Sequence, residues 1–77
     1  MLYFDGRKLK ALRRGRGYTQ EDIAGLIGVS LRAYQKWEEC ESTPNATYFM
    51  RLMMVLVCRN ALSFASEHDP REEKHNE

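Results

Sequence analysis

Apolar positions along the chain fall at helical spacing in short segments, separated by glycine, proline and small polar residues. Leu9 and Leu12, at i and i+3 with basic residues around them, predict a first helix over Asp5 to Arg14, which Gly15 and Gly17 end. Thr19 is a good N-cap for a second helix, and Asp22 three residues on completes a capping-box pattern with Asp in place of Glu or Gln. Glu21 and Asp22 also suit the positive end of its dipole. Ile23, Ala24 and Ile27 form its inner face, and Gly28 closes it.

Two residues later Ser30 caps a third helix with Tyr34 and Trp37 turned inward and Val29 packed ahead of the cap, leaving Leu31, Arg32, Gln35 and Lys36 outward. Thr43 and Pro44 start a fourth helix, with proline in its first turn, where its missing N–H is harmless. Its core face is Phe49, Leu52, Met53 and Leu56, yet Met50, Met54, Val55 and Val57 are apolar too, and Arg51 is the only charge between Tyr48 and Cys58. A helix apolar nearly all round is buried nearly all round, and so short a chain cannot cover it alone. A second subunit is therefore expected on Met50, Met54 and Val57, although an adaptable methionine-rich surface also suits a different protein partner. Asn60 caps a short fifth helix over Ala61 to Ser66, whose Leu62 and Phe64 join the core or the same interface. The remainder, EHDPREEKHNE, has no apolar anchor and contains Pro70, so residues 1–66 are expected to form one domain and 67–77 a disordered charged tail.

Composition narrows the classes. At 77 residues the chain supports one small core. Cys40 and Cys58 stand 18 positions apart without metal-ligand spacing, and His68 and His75 lie in the polar tail, so no metal, cofactor or disulfide framework is expected. The apolar run Met53 to Cys58 is too short to cross a bilayer and the first residues do not build a signal peptide, which predicts a cytoplasmic protein. Glycine-rich phosphate loops and carboxylate pairs in a plausible cleft are both missing, so an enzyme is not expected. The net charge of +1 conceals an asymmetry: residues 1–38 hold eight Lys and Arg against four acids, and residues 39–77 hold four against seven. A polyanion would meet the first half.

The unit from Gln20 to Glu38 has the helix-turn-helix pattern, with Ala24 small where two helices cross and Gly28 at the turn. The wider stretch from Leu9 to Leu56, LxxLRRxxxYTQEDIAxLIGVS followed by YQKWE and then Pro44, resembles the Cro/CI-type (XRE-like) helix-turn-helix family of phage and bacterial regulators. The resemblance implies an all-α, five-helix, lambda-repressor-like DNA-binding domain with its helix-turn-helix in helices 2 and 3. It implies sequence-specific binding of double-stranded DNA by a homodimeric transcriptional regulator, a repressor or autoregulator on a pseudo-palindromic operator. An antitoxin or co-regulator that binds another protein through the apolar helix-4 face is the alternative.

Residue roles follow from the resemblance. Arg13 and Glu38 occupy the positions of a structural ion pair, with phosphate as the other destination for Arg13. Gln20 and the start of helix 2 would contact a phosphate, with Ser30, Arg14 and Arg16 as further phosphate contacts; Ser30 also caps its helix, and the helix-1 arginines could equally form a solvated face. Arg32, Lys36 and Leu31 would read bases, and Gln35 stands at the edge of that face, on a base or in solvent. Cys40 stands where the family usually has glycine, which implies mild strain, on the order of 1 kcal/mol, or a different helix end.

Overall fold

The structure, a computed structural model, describes residues 2–58 and 60–75. In chain order it contains β1 (Tyr3–Phe4), α1 (Gly6–Gly15), α2 (Gln20–Ile27), α3 (Leu31–Glu38), α4 (Ala46–Val55), a 3₁₀ turn (Ala61–Phe64), β2 (Ala65–Ser66) and α5 (Pro70–His75). The class is all-α with five α-helices, and its strands are two residues each.

Each of the first four helices starts on a side chain that accepts an otherwise orphaned N–H. Asp5 accepts from the Arg7 amide at 2.9 Å, Ser30 from Ala33 at 3.1 Å and Asn45 from Tyr48 at 2.9 Å. Thr19 and Asp22 exchange the two bonds of a capping box, at 2.9 and 3.1 Å. The cap of α4 corrects the sequence reading: Pro44 lies outside the helix, because the Asn45 side chain accepts from the Tyr48 amide and starts the helix at Ala46.

The first four helices end in left-handed residues: Gly17 (φ 80°), Gly28 (φ 89°), Cys40 (φ 63°) and Val57 (φ 54°). After α3, the Glu41 amide reaches the Lys36 carbonyl at 2.9 Å and the Cys40 amide reaches Trp37 at 3.2 Å. After α4, Cys58 reaches Met53 at 2.8 Å and Val57 reaches Met54 at 3.2 Å. Both ends are Schellman motifs with a side-chain-bearing residue where glycine is usual. Arg51 supports the end of α2, donating to the Ile27 carbonyl at 2.9 Å while its guanidinium lies 5.6 Å from the Tyr48 ring centre.

The core comprises Leu9, Ile23, Ala24, Ile27, Tyr34, Trp37, Leu52, Leu56 and Phe64. Around it, Tyr34, Trp37 and Tyr48 form one aromatic row, and Phe4, Phe49 and Phe64 form a second group with centroids 5.2 to 6.1 Å apart.

That second group accounts for the main departures from the sequence reading. The segment expected to be a helix over Ala61 to Ser66 is a 3₁₀ turn running into β2, which pairs antiparallel with β1, Tyr3 opposite Ser66 and Phe4 opposite Ala65. The Asp5 amide donates to the Phe64 carbonyl at 2.6 Å, and Lys8 Nζ donates to the Ala65 carbonyl. These bonds to the N-terminal segment replace the local helical ones. Of the two places the sequence leaves open to Phe64, the subunit interface is ruled out and the core holds: Phe64 is 1% exposed and packs between Phe4 and Phe49. Beyond it, α5 forms where the sequence reads as unanchored tail: Pro70 is buried, and Asp69 accepts from the Arg71 amide at 2.9 Å. Pro70 lines a cleft together with Tyr3 and Cys40.

Candidate nucleic-acid interface

The eight residues of α3 divide sharply by face. Tyr34, Trp37 and Glu38 are buried, Gln35 is half-buried, and Leu31, Arg32 and Lys36 are exposed, Leu31 at 37%. Positions 31, 32, 35 and 36 are neighbours at helical spacing, so the three exposed side chains and Gln35 share one surface. Among the described residues, the side chains of Arg32 and Lys36 make no hydrogen bond or ion pair, which leaves two cations and an aliphatic side chain unpartnered on a short helix.

The opposite face is fixed by Glu38. Its side chain is 3% exposed and accepts from Arg13 Nε at 2.6 Å and, more weakly, from Arg13 Nη2 at 3.4 Å. Tyr34 Oη donates to the same carboxylate, and so does Gln20 Nε2 at 3.0 Å. Arg13 further donates to the Tyr18 carbonyl at 2.7 Å, so one guanidinium ties α1 to the linker before α2 and to the end of α3. Burial pushes the Glu38 carboxyl up, but hydrogen bonds from Arg13, Tyr34 and Gln20 outweigh it and hold the group below the ordinary glutamate value. Burial, reinforced by Glu38, raises Tyr34 and keeps its hydroxyl a donor.

Gln20, read from the sequence as a phosphate contact, and Gln35, read as on a base or in solvent, touch each other: Gln35 Nε2 donates to Gln20 Oε1 at 3.2 Å. Arg13, Glu38, Gln20 and Gln35 thus form one network across three helices. At the start of α2, Thr19 satisfies the Asp22 amide, and those of Gln20 and Glu21, in the first turn, have no acceptor within the helix, an arrangement suited to an anion. The Ser30 hydroxyl oxygen is engaged as the cap of α3. Arg14 and Arg16 are exposed at the end of α1 and make no side-chain bond among the described residues.

Away from α3, Met50, Met54, Val57 and Leu62 are exposed, Met54 at 77%, while Leu52 and Leu56 on the other side of α4 are fully buried. Three features were not anticipated from sequence: the Tyr34 hydroxyl on Glu38, the Arg51 bond to α2, and Gly6 against the end of α3. The first had a signal, since Tyr34 stands four residues before Glu38 on one helix. The other two join segments remote in sequence.

Comparison with known proteins bears on the same residues. The family described as Helix-turn-helix matches residues 9–56. A Pyrococcus horikoshii protein that carries the provisional name HTH-type transcriptional regulatory protein is 42% identical over 48 residues. A Pyrococcus abyssi protein of the same provisional name is 35% identical over 48 residues. Each alignment covers 62% of this chain but 15% of the relative, so the chain spans a small part of the curated relatives it matches. Among the described residues, no helix is long and apolar enough to cross a membrane.

Proposed function

Taking as premise that this chain belongs to the Helix-turn-helix family, we propose that it is a sequence-specific double-stranded DNA-binding transcriptional regulator, with α3 as its recognition helix. The observation that carries this reading is the division of α3. One face is held by the buried Glu38 network, and the other presents Leu31, Arg32 and Lys36 without partners. A major groove admits one such helix. In this reading Arg32 forks onto guanine O6 and N7, Lys36 reaches a guanine or phosphate one turn later, and Leu31 touches a thymine methyl. The amino end of α2 with Gln20 holds a phosphate, and Ser30, Arg14 and Arg16 add phosphate contacts.

A homodimer fits the exposed Met50, Met54, Val57 and Leu62, which water covers poorly. Two recognition helices related by a two-fold axis would read half-sites about 34 Å apart on a pseudo-palindromic operator in the cytoplasm, repressing or autoregulating its promoter. Residues 1–66 carry both activities in this reading. The same methionine-bearing face supports a second reading, a co-regulator or antitoxin that holds a different protein there.

Selection of bound sequences from a random duplex pool, with the best site titrated at two salt concentrations, tests the proposal. The expected result is a two-fold symmetric motif with half-sites one turn apart, in which Arg32→Ala costs about 1 to 3 kcal/mol and relaxes preference at one base pair. Binding that depends on salt but not on sequence would overturn the regulator reading and favour the protein-docking one.

A further inference from the structure

Hydrogen-bond polarity can be traced outward from Glu38 without ambiguity. An ionised carboxylate only accepts, so the end of the Gln20 amide that meets Glu38 Oε1 at 3.0 Å has to be its NH₂. Hydrogen bonds to Glu38 hold it ionised at neutral pH, so the starting point is secure. With its NH₂ turned inward, Gln20 presents its carbonyl oxygen to Gln35, and that oxygen needs a donor. The Gln35 NH₂ supplies it at 3.2 Å. One orientation of the Gln35 amide remains: its carbonyl oxygen is unspent, together with the second N–H of the same amide.

A glutamine side chain is ordinarily indifferent to this choice. Its terminal torsion is broad and roughly two-fold, so the amide turns over to offer a donor or an acceptor as a ligand demands. Here the ligand does not choose, because turning the amide over would set the Gln35 oxygen against the Gln20 oxygen. Gln35 also sits half-buried beside Leu31, Arg32 and Lys36, on the surface presented for DNA.

We infer that Gln35 is a specificity-determining residue whose amide, oriented by Gln20 and Glu38, recognises adenine in the major groove and rejects guanine at the same position. Adenine offers an N6 amino donor and an N7 acceptor, which match the unspent carbonyl and the remaining N–H. Cytosine offers only the N4 donor and is second best. Guanine and thymine present O6 and O4, acceptors that would face the Gln35 carbonyl. Gln20 is a positioning residue here, and its effect on base preference is separate from its phosphate contact. The inference rests on the DNA-binding reading and adds the base class for one position.

The test uses the full chain and duplexes selected by the wild-type protein. Gln35→Ala, a change on the helix surface, identifies the position by flattening preference there; affinities are then measured for duplexes carrying each of the four base pairs at that position. The wild type is expected to favour adenine over guanine by about tenfold, the scale of one bidentate pair. In Gln20→Met, which removes both the carbonyl and the NH₂ of the side-chain amide, overall affinity falls while that ratio shrinks several-fold, and the preference lost in Arg32→Ala stays intact. Guanine or thymine as the wild-type preference overturns the inference without recourse to any Gln20 variant. It is also overturned if Gln20→Met leaves the ratio unchanged, or if Gln35→Ala flattens no position while the Arg32-dependent one persists. Failure of the wild type to select any motif removes the DNA-reading proposal, and this inference with it.

Discussion

Gly6 lies directly against the carbonyl end of α3: a Cβ built on it would stand 2.0 Å from the Trp37 carbonyl oxygen and 2.7 Å from that of Glu38. Both obstacles are backbone, so neither can swing aside. Gly6→Ala is expected to cost about 3 kcal/mol, the upper range for overpacking, by forcing α1 away from α3. Denaturant unfolding checks it, and a stability within about 0.5 kcal/mol of the wild type would show that the two helices separate easily.

Arg13→Met leaves the Glu38 carboxylate buried without its main counter-charge. A loss of about 3 to 5 kcal/mol is expected, with a substantial part regained when Glu38→Gln is added. A double-mutant cycle gives the coupling directly. Equal, additive losses would mean that the pair at 2.6 Å contributes little as a pair.

Acid should destabilise the fold through the same group. Glu38 and Asp5 both have folded pKa values below their ordinary 4.5 and 3.8. At Asp5, burial is outweighed by the side-chain and amide bonds of Arg7. A depressed folded pKa means the native state binds fewer protons, so the stabilisation is full above the unfolded values and is lost as pH falls below about 4.5 and through the folded values. Urea midpoints should be level near pH 6 and fall in acid, less steeply in Glu38→Gln. An equally steep acid limb in that variant would assign the pH dependence to other groups.

Met54→Glu places a charge at the centre of the exposed apolar side of α4. Sedimentation should show a shift toward monomer, with weaker operator binding through mass action. A monomeric wild type at micromolar concentration would already dispose of the homodimer.

Val57 holds a left-handed conformation with a β-branched side chain that is 64% exposed. Val57→Gly removes the steric conflict and gives up little buried surface, so a gain of up to about 1 kcal/mol is expected in the Met54→Glu background, where no interface intervenes. Cys40→Gly meets the same geometry but discards a buried side chain, and its gain should be smaller. Thermal unfolding of the two variants decides the order.

What could be read in the sequence is what short-range rules control. Thr19 with Asp22, Gly28 and Ser30 fix the ends of α2 and α3 within a few residues of themselves, and the inward set Ile23, Ile27, Tyr34 and Trp37 follows from one helical period. What stayed hidden depends on segments far apart in the chain. Nothing near Phe64 announces that its carbonyl will accept from Asp5, and nothing near Gly6 announces Trp37. The site was legible as a set of residue types at helical spacing. That Gln20 and Gln35 spend part of their amides on each other required the fold, because the bond joins different helices and its direction is dictated by Glu38.

The antiparallel match of Tyr3 with Ser66 has an architectural consequence. The segments that precede α1 and follow the 3₁₀ turn lie side by side, and α5 continues from there with Pro70 buried, so the polypeptide on either side of the helical body is held at one locus. Such a unit can be grafted into longer polypeptides without stretching its own scaffold, a geometry compatible with relatives in which the matched stretch makes up only 15% of the length.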